Sequence, residues 1–212
     1  MADDRLTSAL VADALDGVGL RGRCLGPAIR MLSGEPPLVG HALTASTAPI
    51  AGGVEPDDLY AGLKAVLHRL GPGDVLVLAT DRSDDYATWG ELTSTAALLA
   101  GAAGIVTDGL VRDIERVALL GFGLFARGTR PVDIGGRAEI VRIGEAAVID
   151  DVAVETGDLI VADRDGVVVV PRAVEAGVSE RALGKAIDER RFHEALAAGV
   201  PIWEAFERFH TL

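Results

Sequence analysis

Hydrophobic positions along the chain change period several times, and each change marks an element. From Thr7 to Leu15 apolar residues recur at helical spacing, with Thr7 or Ser8 placed to cap the first turn. Gly17, Gly19, Gly22 and Gly26 then break the pattern. A strand-like run over Leu38 to Thr47 precedes an amphipathic helix over Pro56 to Leu70, closed by Gly71-Pro72-Gly73. The centre alternates. Asp74 to Ala79 reads as a buried strand, Leu92 to Ala100 as a helix ended by Gly101, and Ile105-Val106-Thr107 as a strand. Arg112 to Leu120 reads as a helix and Leu124-Phe125-Ala126 as a strand. That alternation predicts βαβ units on a parallel sheet. Leu159–Ala162 and Val167–Val170, flanking Asp163-Arg164-Asp165-Gly166, predict a β-hairpin with glycine at a positive-φ position. From Arg172 the pattern is helical, with breaks at Gly199 and Pro201. The expectation is one mixed α/β layered domain over residues 1–212, with 172–212 as a C-terminal helical arm.

Composition narrows the classes of function. The chain has 212 residues, 49% hydrophobic and 25% charged, an ordinary globular balance. A net charge of −12 argues against nucleic acid, because neutralising phosphates takes clustered Lys and Arg. Aromatic residues, at 4%, are too few for base-stacking platforms. A single cysteine, Cys24, excludes an internal disulfide framework and is expected to be a small buried hydrophobe. No apolar run reaches the ~18 residues of a membrane span, and the first residues are acidic rather than basic. A cytoplasmic protein without membrane partners is the simplest expectation.

Most short motifs have bland explanations. Gly17-Val18-Gly19-Leu20-Arg21-Gly22 matches the dinucleotide pattern by letter, but it follows a helix instead of a strand. Asp163-Arg164-Asp165-Gly166 lacks the further acids of a calcium loop. There is no G-x-S-x-G elbow, and His41, His68, His193 and His210 are scattered.

Gly90-Glu91 and Arg112-Asp113 form the informative constellation. Each opens a helix after a central strand, and such helix starts lie at the carboxyl edge of a parallel sheet, where α/β folds bind ligands. Free N–H groups at helix starts receive carboxylates or phosphates. Asp113 can give a hard oxygen to Mg²⁺, Arg112 can fork onto a carbonyl or carboxylate, and Glu91 can steer a proton. Structural readings stand beside these: Thr88-Trp89-Gly90-Glu91 has the form of a capping box, and Asp113 in a first turn favours the helix dipole.

The ordered segments Gly73–Val77, Trp89–Leu92, Gly104–Asp113, Phe125–Gly128, Gly157–Asp163 and Asp165–Pro171 resemble the RraA-like family. That family includes 4-hydroxy-4-methyl-2-oxoglutarate aldolases and the regulator of ribonuclease E activity A. The resemblance implies an α/β/β/α sandwich, a homotrimer or hexamer with sites between subunits, and Mg²⁺ or Mn²⁺ as cofactor. It implies cleavage of 4-hydroxy-2-oxo dicarboxylates to pyruvate and a second keto acid, with oxaloacetate decarboxylation. Its pattern is an acid, twenty residues, Arg-Asp, then an acid three positions on. Glu91, Arg112 and Asp113 satisfy the first part, and Arg116 replaces the last acid. By this resemblance Asp113 holds the metal, Arg112 and Glu91 act on the substrate, and Gly90, Leu92 and Thr93 receive its carboxylate. Glu189, with Asp188 next, is the candidate carboxylate donated to a neighbouring subunit's site. The alternative the resemblance carries is a non-enzymatic regulator that binds and inhibits a ribonuclease or helicase.

Overall fold

The computed structural model describes residues 6–50 and 59–211. Helix α1 (Ser8–Asp16) starts where its sequence predicts: Thr7 caps it, its side-chain oxygen accepting the Leu10 N–H at 3.3 Å. Then come β1 (Arg30–Ser33), β2 (Leu38–Pro49), α2 (Ala61–Arg69) and β3 (Asp74–Ala79). The predicted start of α2 at Pro56 lies outside the described residues. Next are β4 (Ala87–Trp89), α3 (Glu91–Leu99), β5 (Gly104–Thr107), β6 (Leu110–Val111), α4 (Ile114–Leu120), β7 (Gly123–Ala126) and β8 (Gly128–Thr129). The chain ends with β9 (Ala138–Ile143), β10 (Ala147–Ile149), β11 (Val152–Val154), β12 (Leu159–Ala162), β13 (Val167–Val170), α5 (Glu175–Ala197) and α6 (Ile202–Phe209).

The main sheet runs β1-β7-β5-β3-β2-β12-β13, with β9 also paired to β2. Strands β2, β3, β5 and β7 are mutually parallel, as the central alternation predicts, while β1, β9, β12 and β13 add antiparallel pairs. Alternate residues of each central strand serve different layers. Leu76 and Leu78 pack with Val66 of α2, Ala97 of α3 and Val117 of α4. Val75 and Val77 face Ile149 and Val152 of the β10–β11 hairpin. Both faces are therefore dry, which is why β3 reads as an unbroken apolar run. The result is a mixed α/β sandwich with a curled sheet and C-terminal helices.

The predicted 159–170 hairpin forms in register, Leu159 opposite Val170 and Ala162 opposite Val167. Its turn does structural work: Asp163 accepts from the Ser8 N–H at 2.7 Å, the Ser8 hydroxyl at 2.6 Å and the Asp165 N–H at 3.0 Å. Those bonds tie α1 to the sheet. Residues Leu10, Val11 and Leu15 of α1 and Val178 and Ala182 of α5 cover Val161 and Val168. Cys24 departs from expectation. It is exposed, because its segment runs along the sheet edge in a single bridge to Val168. Partial desolvation, then the charge of Asp16, push its thiol above the ordinary value, which disfavours the reactive thiolate.

Candidate active site

Three parallel strands of the main sheet each lead into a second, smaller ladder. Strand β3 is followed by β4, β5 by β6 and β7 by β8, and the small sheet keeps that order, β4-β6-β8, with parallel pairing. Ala87 of β4 also bridges Asp133, so the chain after β8 returns to the first strand and curls the ladder. The Thr107-Asp108-Gly109 corner fixes one sheet to the other. Asp108 is buried and accepts from the Thr80 N–H at 2.6 Å, the Thr80 hydroxyl at 3.0 Å and the Arg82 N–H at 3.2 Å. A Cβ at Gly109 would stand 2.8 Å from the Thr80 side chain. Only glycine lets that corner close.

Both predicted helix starts lie at the carboxyl end of this small ladder, one strand later than the sequence alternation places them. The Arg112 N–H donates to Trp89 O at 2.9 Å, which holds the ends of β6 and β4 together. Gly90 caps α3 from an extended conformation. The Thr93 hydroxyl accepts the Gly90 N–H at 3.0 Å and donates to Gly90 O at 2.9 Å. The capping box expected from Thr88 to Glu91 does not form, since the Thr88 hydroxyl donates to Leu110 O at 3.3 Å. Glu91 is the first residue of α3, so its carboxylate is not needed to cap anything.

Asp113 is the unusual residue. It sits at the N-cap of α4 in the left-handed region, φ 59° and ψ 30°, and makes no side-chain cap bond to its own helix. Its Oδ2 instead accepts the Glu91 N–H at 3.3 Å and lies 3.6 Å from Arg112 Nε. The carboxylate thus caps no N–H of α4 and points to the start of α3. Gly90 permits this: a Cβ there would fall 2.6 Å from Asp113 Oδ2 and 3.1 Å from Arg112 Cγ. The first i−4 bond of α3 is Ser94 N–H to Gly90 O at 3.0 Å. With Glu91 N–H taken by Asp113, the N–H groups of Leu92 and Thr93 remain for a ligand.

These groups line an open pocket of about 290 Å³ that contains Gly90, Glu91, Leu92, Thr93, Arg112 and Asp113. Six of the seven site residues expected from sequence are brought together. Glu189 is not: on α5 it lies 3.7 Å from Lys185 Nζ and lines no part of the pocket within this chain. Asp188 pairs with Arg191. Two polar residues were invisible to motif reasoning. Asp133 places Oδ1 3.5 Å from Arg112 Nη1 and accepts the Tyr60 hydroxyl on its other oxygen. That hydrogen bond, then desolvation and the Asp133 charge, raise the Tyr60 phenol above its ordinary value. Asp133 lies in an irregular segment with no local motif; its bridge to Ala87 brings it here.

A separate cleft of about 350 Å³ lies around Asp81, Arg82, Asp108, Arg142, Asp150 and Asp151. Within it Arg82 pairs with Asp150 at 2.8 Å and with Asp151 at 2.6 Å. Among the described residues no three His, Cys, Asp or Glu side chains group closely enough to cage a metal ion. No helix of the described residues is long and apolar enough to cross a membrane.

A curled, mixed sheet whose parallel central strands feed a second ladder, with Arg-Asp and a helix start at its carboxyl end, defines the class. The chain belongs to the aldolase/RraA (RraA-like) family, which matches residues 8–169. A Halalkalibacterium halodurans protein named "Putative 4-hydroxy-4-methyl-2-oxoglutarate aldolase" is 32% identical over 201 residues, covering 95% of this chain and 90% of that one. A crystal structure of an uncharacterized Pseudomonas syringae protein matches with a TM-score of 0.83 at 30% identity, covering 94% of this chain and 92% of that one. Streptomyces coelicolor RraAS2, described as an unusual member of the RNase ES inhibitor RraA protein family, matches with a TM-score of 0.76 at 29% identity. That likeness covers 92% of this chain and 94% of RraAS2.

Proposed function

We propose that the protein is a divalent-metal-dependent lyase that cleaves a 4-hydroxy-2-oxo dicarboxylate to pyruvate and a second keto acid, and that it decarboxylates oxaloacetate. The observation that carries the reading is Asp113: a left-handed residue whose carboxylate serves the mouth of a pocket instead of its own helix. Strained backbone persists where surrounding structure holds it, and it concentrates at functional sites. The aldolase name of the Halalkalibacterium relative supports the same reaction class.

The donor set suits Mg²⁺ or Mn²⁺. Mg²⁺ takes one or two protein carboxylates and keeps several waters, so the half-exposed Asp113 oxygens suffice and a multi-carboxylate cage is unnecessary. When bound, the metal supplies Lewis acidity toward the substrate's keto oxygen. The chain's own residues do the rest. The free N–H groups of Leu92 and Thr93 receive the C1 carboxylate at the positive end of α3. Arg112, oriented by Asp113 and Asp133, faces the C2 oxygen. Glu91, through a water, takes the proton from the C4 hydroxyl. The C3–C4 bond then breaks, the hydroxyl carbon becomes the carbonyl of the released keto acid, and the electron pair passes to the pyruvate enolate. Arg112 stabilises that growing negative charge, usually the largest catalytic contribution. The proton returns to C3 to give pyruvate. Arg116, a cation, takes no part in holding a metal.

A coupled assay for pyruvate tests the reading. Release from oxaloacetate or a 4-hydroxy-2-oxo acid is expected with Mg²⁺ or Mn²⁺ and should stop in excess chelator. Undiminished turnover with chelator present refutes the metal mechanism.

The likeness to RraAS2 favours a second reading, an acidic protein that docks on a ribonuclease or helicase. A net charge of −12 would steer it toward a basic partner. Failure to release pyruvate, with capture of such a partner, would support it.

A further inference from the structure

We propose that a second cleft, sharing a wall with the pocket, is the subsite for the substrate's distal carboxylate, and that Arg116 and Arg130 recognise it. The inference rests on the lyase reading and assigns the residues that would select dicarboxylates over monocarboxylates.

The cleft holds about 550 Å³ and is lined by Arg112, Asp113, Glu115, Arg116, Thr129 and Arg130, among others. Arg112 and Asp113 line the pocket as well, so they form the partition between the two spaces. Backbone bonds fix where the other two arginines start. The Arg116 N–H donates to Asp113 O at 2.9 Å, one helical turn past the partition. The Arg130 N–H donates to Val111 O at 2.9 Å, beside Arg112 at the end of β6.

Charge here opposes that of the whole protein. Three arginines face two acids, Asp113 and Glu115, on a chain of net charge −12. Arg112 has carboxylates nearby, and so does Arg127 on β7's exit, which pairs with Asp84. Among the described residues Arg116 and Arg130 make no ion pair, and both are exposed. Two guanidinium groups lining one cleft without carboxylate partners can receive a planar anion.

Length selects the anion. With the C1 carboxylate on the Leu92 and Thr93 N–H groups, a five-carbon oxo acid carries its second carboxylate about 5 Å further on. That reach carries it to the Asp113 partition, and Arg116, whose Cβ stands about 5–6 Å further along α4, has a side chain long enough to meet it there. A shorter monocarboxylate stops before it.

The test uses two unreactive acids of equal length, 2-oxoglutarate and 2-oxopentanoate, which differ only in the distal carboxylate. Their affinities are measured by calorimetry in Mg²⁺-containing buffer on the wild type and on an Arg116→Gln/Arg130→Gln double variant. The wild type is expected to bind 2-oxoglutarate about tenfold more tightly. The double variant should lose that preference while still binding 2-oxopentanoate, which also shows that it is folded. Equal wild-type affinities, or a preference that survives in the double variant, overturn the subsite. If pyruvate is nonetheless released from a 4-hydroxy-2-oxo acid, the lyase reading stands and the subsite alone falls. Binding of neither acid contradicts both.

Discussion

Asp113 combines two demands that a single side chain seldom meets. Its backbone is left-handed, a conformation that disfavours most L-residues and that Asp tolerates better than most. Its carboxylate is spent across the pocket on Glu91 N–H. These demands separate on substitution. Asp113→Gly relieves the backbone and removes the carboxylate, whereas Asp113→Ala removes the carboxylate and keeps the strain. We expect thermal unfolding to rank glycine above alanine by about 1 kcal/mol, while pyruvate release falls at least 10²-fold in both. Near-native activity in either variant would reduce Asp113 to a backbone device. Nothing in the sequence announces the left-handed turn: Arg112-Asp113-Ile114 reads as the opening of a helix, and the structure starts that helix only at Ile114. The pairing of Gly90 with Arg112-Asp113 was legible as spacing. The close approach that requires glycine was not, because it depends on how β4 and β6 lie side by side.

At the scale of elements, periodicity recovers what is long or fully buried. The β3, β5 and β7 core and the β12–β13 hairpin follow from runs of β-branched and aliphatic residues. Strands β4, β6 and β8 span two or three residues each, too few for any period, yet they carry the site. Asp133 belongs to the same hidden layer, reaching Arg112 only because its backbone bridges Ala87. Its bond with Tyr60 gives this layer a titration signature. The raised phenol pKa means the fold favours neutral Tyr60; that stabilisation is complete below the ordinary phenol value and is lost as pH rises through the folded one. An alkaline ultraviolet titration, wild type minus Tyr60→Phe, is expected to show a late-titrating phenol. In an Asp133→Ala background the same difference should return toward the ordinary value. A Tyr60 titration indifferent to Asp133 would remove the link between α2's leading turn and the Arg112 side of the pocket.

For the whole molecule, several large apolar side chains stand exposed, and one of them, Leu92, lines the pocket. Leu92 is 81% exposed, and Leu99 and Leu119 stand out on α3 and α4 at 85% and 80%. Trp203 of α6, in edge contact with Phe206, is 67% exposed. We propose that such exposed apolar residues are covered in a homotrimer or hexamer, with Glu189 of one copy completing the pocket of another. Complementation reads this directly. Mixed after subunit exchange, inactive Glu189→Gln and inactive Arg112→Ala proteins should regain activity, because some pockets then draw one intact residue from each. No rescue between exchanging subunits would place Glu189 outside any shared site. The central claim remains that this pocket makes pyruvate. Its most direct measurement compares wild type with Arg112→Ala at saturating Mg²⁺ on a 4-hydroxy-2-oxo dicarboxylate. The account predicts steady pyruvate release by the wild type and a loss of about 10²–10³-fold in a variant that unfolds at the same temperature. Equal rates in the two proteins, or no pyruvate from the wild type, would contradict it.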